Sequence, residues 1–312
     1  MTFAMTFPGQ GSQAVGMLAD LAEAFPIVRQ TFEEASDALG SDLWKLSQEG
    51  PAETLNETEH TQPAMLSAGI AVWRVWQEQG GPQPARLAGH SLGEYSALVA
   101  AEVLAFADAA RLVRERGRLM QAAVPPGAGA MAAILGLDDD QVRTVCEQAA
   151  QGEVVEPVNF NSPGQVVIAG QASAVARAID LAKQAGAKRA LLLDVSVPSH
   201  CSLMRDAADR LREVMQDLAF APPRIPVIHN VTAAAASDPD EIMALLAQQL
   251  YSPVRWVESV RAMKDAGCDV LVEAGPGKVL TGLARRIDKT MLALPVFDRV
   301  SLGKALENIN GG

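Results

Sequence analysis

The stretch ARLAGHSLGEYSALVAA, residues 85–101, constrains this chain more than any other. It reads as a strand, a tight turn and a helix, with the turn spelled G-H-S-L-G. In a G-x-S-x-G pentad on such an elbow, the serine oxygen is lifted clear of the sheet. Five residues alone would also suit an ordinary Gly-bounded loop, so the context must decide. A strand that feeds directly into a helix belongs to a parallel sheet covered by helices on both faces. The preceding chain keeps that rhythm. TFAMTF (2–7) reads as a short buried strand running into the Gly-rich turn PGQGSQ (8–13). AFPIVRQTFEEASDALG has helical spacing and stops at Gly40. A further helix starts after TQP, carries AMLSAGIAVWRVWQEQ and ends at Gly80 and Gly81.

A different rhythm begins at VPPGAGA (124–130), a Pro/Gly stretch suited to a domain crossing. AMAAIL reads as a strand and DDDQVRTVCEQAA as a helix capped by Asp138–Asp140. EVVEPVNF and QVVIAG read as strands joined through NSPG. SAVARAIDLAKQAG is a helix ending at Gly186, and AKRALLLDVSV is a last strand. The order β-α-β-β-α-β is that of a ferredoxin-like unit of roughly 70 residues. The expected organisation is therefore an α/β protein with a large parallel-sheet domain, residues 1–125 and 195–312, interrupted by a small inserted domain, 126–194. TAAAASDPD (232–240) reads as a loop.

A chain of 312 residues suits about two domains. Its start lacks Lys and Arg, which argues against a signal peptide, and no apolar run approaches the ~18 residues of a membrane span. A soluble, cytoplasmic protein with no membrane partner is expected. Three separated cysteines form neither a disulfide framework nor a C-x-x-C site, and four histidines without H-E-x-x-H spacing argue against a metal centre. A net charge of −11 argues against nucleic acid as a partner.

A serine alcohol is a weak nucleophile and needs a general base. His60, in ETEHTQPA, suits a solvated or capping role. His90 adjoins Ser91, so its side chain should point away from the serine oxygen. His229, in IPVIHNVT, ends an apolar run and suits a structural role. His200, in DVSVPSHCSLM, follows a strand and a proline on the C-terminal side of a sheet, where such folds build their sites. Residue pattern alone leaves the base open between these positions. Oxyanion donors are expected from the backbone of Leu92, which follows the serine, and of Gln10, flanked by Gly9 and Gly11. Phosphate loops fail on spacing. G-x-G-x-x-G would need glycine at Ala14, and GPGKVL lacks the first Walker glycine at Val272 and has Val279 after the lysine.

Arg116 is more informative. In ADAARLVRERGRLMQ, Arg111, Arg114 and Arg118 share one helix face, while Ala109, Leu112, Val113, Leu119 and Met120 form the other. Arg116 projects from the middle of the apolar face. A buried guanidinium needs an anionic partner, either a protein carboxylate or a substrate carboxylate gripped at two points.

The motifs FPGQGSQ, TQPA, GHSLGEYSAL, RERG, NFNSPGQVVIAG, VSVPSHCSLM, QQLYSPVRW and EAGPGKVL, in this order, resemble the bacterial malonyl-CoA:acyl carrier protein transacylases of fatty acid synthesis. The resemblance runs from Phe7 to about Leu283. It implies an α/β-hydrolase-like large domain with a ferredoxin-like insert. It also implies Ser91 as nucleophile, His200 as base, and Gln249 orienting His200 through its side-chain carbonyl. Gln10 and Leu92 would form the oxyanion hole, and Arg116 would bind the malonyl carboxylate. Asn159 and Asn161 would line the cleft between domains or, in NFNSPG, serve equally as turn formers. Leu92, a branched apolar residue after the serine, favours malonyl over methylmalonyl.

No tightly bound cofactor is implied; the substrates would be malonyl-CoA and the phosphopantetheine thiol of an acidic acyl carrier protein, used in a ping-pong cycle. Docking of that carrier against a chain of like charge calls for a basic patch, with Lys188, Arg189, Arg285 and Arg286 as candidates. A serine thioesterase would share the elbow without explaining Arg116. A non-catalytic carrier-docking module would tolerate loss of Ser91, His200 or Arg116.

Overall fold

The computed structural model describes residues 1–195 and 197–311. Its strands are β1 (Phe3–Phe7), β2 (Arg86–Gly89), β3 (Gly129–Leu135), β4 (Val155–Ser162), β5 (Gln165–Gln171), β6 (Arg189–Leu192), β7 (Val227–Ile228), β8 (Val270–Ala274) and β9 (Leu292–Val296). Five of them form a parallel sheet in the order β7-β2-β1-β8-β9. Its central strands are buried along their whole length, as FAMTF and VLVEA show. Helices cover both faces, so neither sequence alternates polar with apolar. Each strand needs a crossover to its parallel neighbour. Between β1 and β2 that crossover includes the helices Pro26–Leu39 and Thr58–Glu78.

The other four strands form an antiparallel sheet, β4-β5-β3-β6, with the helices Asp139–Ala150 and Ala172–Gln184 packed on one side. This order and the β-α-β-β-α-β sequence are those of a ferredoxin-like unit. The sheet has its own apolar core, including Ile134, Val142, Val166, Ile168 and Val175. It is tied to the parallel-sheet body where the Phe160 N–H donates to Val254 O at 3.0 Å and the Val254 N–H donates to Val158 O at 2.8 Å.

Two elements differ from expectation, and one stretch carried none. The helix expected after TQP begins at Thr58 and runs through Pro63. An interior proline removes one helical hydrogen bond at a cost of about 3 kcal/mol. Burial along almost the whole of this helix, from Thr61 to Val72 without a break, outweighs that loss. The strand expected over 187–197 is regular over Arg189–Leu192, with the Leu193 N–H still donating to Met131 O at 2.9 Å; Ser196 lies outside the described residues. The stretch after Ile287, in which no motif is recognised, supplies β9 and the helix Arg299–Asn310. Asp298 caps that helix, and its Arg299 pairs with Asp20 at 2.8 Å. No described helix is long and apolar enough to cross a membrane.

Candidate active site

The elbow forms because its glycines leave no room for anything larger. A Cβ on Gly89 would lie 1.8 Å from the Gly93 backbone carbon, and one on Gly93 would lie 2.0 Å from Phe7 O. A Cβ on Gly9 would lie 2.5 Å from His90 O, so the PGQG turn also packs against the elbow. With β2 and the helix Gly93–Ala100 this close, Ser91 is driven to φ 51°, a left-handed conformation that costs a non-glycine residue about 1–2 kcal/mol. Asn230 offsets this cost: its Oδ1 accepts from Ser91 N at 2.7 Å and its Nδ2 donates to Gly89 O at 2.6 Å.

His200 reaches the elbow from the segment after Pro198, with φ 66° and its backbone N–H bonded to Leu250 O at 2.9 Å. Its Nε2 lies 2.7 Å from Ser91 Oγ. Its Nδ1 lies 2.7 Å from the main-chain oxygen of Gln249. A carbonyl oxygen only accepts, so Nδ1 carries the proton and Nε2 is left bare to receive one from the serine. The expectation that the Gln249 side-chain carbonyl orients His200 is therefore corrected. The helix Pro239–Gln249 ends at this residue, so its last carbonyls have no helical donor and one turns to the imidazole. Burial, and then the neighbouring Arg116 charge, lower the His200 pKa to about 3, so the ring is neutral near pH 7.

Arg116 is 1% exposed. One terminal nitrogen donates to Gln62 Oε1 at 2.9 Å, the other to Gln249 Oε1 at 3.0 Å and to Ser91 Oγ at 3.3 Å. Among the described residues its Nε has no partner. Among the described residues no carboxylate forms an ion pair with it, so the protein-carboxylate reading of its burial is not met directly. The Tyr95 ring lies 5.4 Å from the guanidinium carbon and supplies a weak cation–π contact. Desolvation lowers the Arg116 pKa, yet a guanidinium stays charged at neutral pH.

Ser91, Arg116 and His200 open into one cleft of about 550 Å³, also lined by Gln10, Leu92 and Asn159. The Gln10 and Leu92 amides are not engaged by any acceptor among the described residues. Asn161 instead bonds the Nε2 of His90 at 2.7 Å, which turns that ring away from Ser91 Oγ. His229 is buried against Glu94 at 2.7 Å, and His60 sits half-buried beside Glu57. Lys188, Arg189, Arg285 and Arg286 are all exposed, and Arg286 donates to Gln165 Oε1 at 2.7 Å on the small sheet.

The sequence profile of the acyl transferase domain matches residues 4–306. The chain belongs to the acyl transferase family. Among curated relatives of this acyl transferase, the malonyl CoA-acyl carrier protein transacylase of Escherichia coli K12 is 58% identical over 305 residues, 98% of this chain and 99% of that protein. The solved acyl carrier protein S-malonyltransferase of Vibrio cholerae is 61% identical with a TM-score of 0.96, covering 98% and 100% of the two chains. A malonyl-transacylase solved in complex with its type II PKS acyl-carrier protein is 58% identical with a TM-score of 0.98, covering 99% and 100%.

Three residues of this acyl transferase site escape a reading by pattern: Gln62, Asn230 and Glu94. Gln62 and Asn230 look like ordinary polar residues of a helix entry and a loop. Glu94 did carry a signal. It stands in the apolar helix GEYSALVA, and a carboxylate there is as anomalous as Arg116 is on its own helix.

Proposed function

We propose that this acyl transferase moves a malonyl group from malonyl-CoA to the phosphopantetheine thiol of an acyl carrier protein through a malonyl-serine intermediate. The observation that carries the proposal is the convergence on one oxygen, Ser91 Oγ, of a neutral imidazole at 2.7 Å and a buried guanidinium at 3.3 Å. In the first half-reaction His200 Nε2 takes the serine proton as Oγ attacks the thioester carbonyl carbon. The Gln249 main-chain carbonyl keeps the ring in the required tautomer. The Leu92 and Gln10 amides stabilise the oxyanion. The carbon–sulfur bond then breaks, the proton passes to the departing sulfur, and CoA leaves as the thiol. In the second half-reaction the carrier's thiol gives its proton to His200, its sulfur attacks the ester carbonyl, and Ser91 recovers the proton. Arg116 holds the malonyl carboxylate throughout by charge-assisted hydrogen bonds.

Both substrates are diffusible, and the cycle calls for no tightly bound cofactor. We take residues 126–194 as one inserted unit roofing the cleft, supported by the contiguous run and separate core of the small sheet. Cytoplasmic placement fits the two substrates. Intact mass after mixing with malonyl-CoA, without carrier protein, tests the reading. A stable malonyl adduct that maps to Ser91 and is absent from Ser91→Ala is expected. Release of free malonate without a stable adduct would assign the chain to the hydrolases.

A further inference from the structure

Arg116 has an unusual set of partners for a buried cation: two side-chain amides and an alcohol, all neutral. The nearest connected negative charge is Glu94, which is fully buried in the first turn of the helix that follows Ser91. Its oxygens accept from His229 Nδ1 at 2.7 Å, the Asn230 N–H at 2.9 Å and Gln249 Nε2 at 2.8 Å. The other end of that Gln249 amide, Oε1, is the atom on Arg116. One amide thus separates the carboxylate from the guanidinium.

We propose that the grip of Arg116 on a substrate carboxylate is set by where its compensating charge stands: Glu94 supplies that charge from one amide away, held off by Gln249. It is near enough to compensate a cation taken out of water, and too far to occupy the donors that a malonyl group must use. A carboxylate bonded directly to Arg116 would compete with substrate. With no carboxylate nearby, the cation would hold the malonyl group too firmly for easy transfer to the second thiol, because a ground state bound too well raises the barrier that follows it. This inference rests on the reading of Arg116 as the carboxylate-binding group.

Two near-isosteric variants move the charge in opposite senses. Glu94→Gln removes it. The new amide nitrogen can donate to His229 Nδ1 after a tautomer change, and the new oxygen can still accept from Asn230 and Gln249. Gln62→Glu instead places a carboxylate directly on Arg116, losing only a 3.6 Å contact from Gln62 Nε2 to Met120 Sδ.

Acylation of Ser91 by malonyl-CoA and by acetyl-CoA is measured for each variant. Effects on the imidazolium of His200 are common to both thioesters and cancel in their ratio. Glu94→Gln is expected to raise the malonyl-to-acetyl ratio of kcat/KM on the order of tenfold, mainly through a lower KM for malonyl-CoA, and to slow transfer from malonyl-serine to a pantetheine thiol. Gln62→Glu is expected to lower the same ratio on the order of tenfold or more. A folded Glu94→Gln whose ratio is unchanged or reduced overturns the proposal. If Glu94→Gln does not fold, Gln62→Glu decides it, and an unchanged ratio there overturns it. Arg116→Ala, run alongside, separates the two claims. A ratio unmoved by Arg116→Ala sinks the role of Arg116 itself. A ratio that collapses there and stays fixed in the other two sinks only the role of Glu94.

Discussion

Burial and the Arg116 guanidinium act in the same direction on His200, and the second of these can be removed by mutation. The folded pKa lies near 3, below the ordinary 6.5, so protonation inactivates the base only at strongly acid pH. In Arg116→Ala one of the two lowering causes is gone and the pKa rises. The acid limb of kcat/KM for acetyl-CoA, whose acyl group has no carboxylate to titrate, should therefore move to higher pH in that variant. A limb that stays in place would disconnect the two residues. The same variant should lose on the order of 10² or more in kcat/KM for malonyl-CoA while sparing acetyl-CoA. Gln249 makes a second prediction at this scale. Because its main-chain oxygen, not its side chain, holds His200, Gln249→Ala leaves the imidazole oriented and strips a partner from Arg116. Malonyl acylation should then fall by about tenfold and acetyl acylation by less, measured as single-turnover rates. Equal losses would mean that the side chain serves the histidine after all.

At the scale of elements, the elbow is an intersection of three backbones packed to contact, and Gly93→Ala tests how rigid it is. The new methyl must displace the carbonyl of Phe7 at the end of β1, and overpacking of this kind costs about 1–3 kcal/mol or more. A melting temperature lowered by several degrees, with the adduct on Ser91 reduced, is the expected result. Much of this architecture was legible from pattern. The β-α-β-β-α-β run, the G-x-S-x-G elbow and the helix closing at Gly40 are local features, written in spacing and in glycine. What escaped is non-local. Gln62 lies 54 residues from Arg116, Asn230 lies 139 from Ser91, and Glu94 lies 155 from Gln249. Contacts across such distances leave no periodicity to read. The start of the helix at Thr58 escaped for another reason: Pro63 signals a beginning, and only the burial around it shows that the helix is already under way. The Gln249 main-chain contact was invisible in principle, because any residue supplies a carbonyl.

At the scale of the whole molecule, the proposed function asks a chain of net charge −11 to receive a carrier expected to be acidic, and only local cations can guide such an approach. Lys188 and Arg189 stand at the start of the edge strand β6, Arg285 and Arg286 in the last turn of the helix Val279–Ile287. Charge reversal at a true docking pair should slow transfer to the carrier and leave acylation by malonyl-CoA intact, with the defect shrinking as salt rises. Equal losses in both half-reactions, or none, would reject that pair. The strand order of the parallel sheet carries a further consequence, for the chain as it is being made. β1 lies between β2 and β8, so once synthesised it waits for residues 270–274 before its second edge is covered. At about 5–20 residues per second that wait lasts on the order of tens of seconds. The antiparallel sheet, complete by Leu192, can close long before. A nascent chain released short of residue 270 would carry the bare edge of Phe3–Phe7, apolar except at Thr6, a template for pairing with another copy. Unfinished copies of this protein should therefore be found in the pellet, and finished ones in solution.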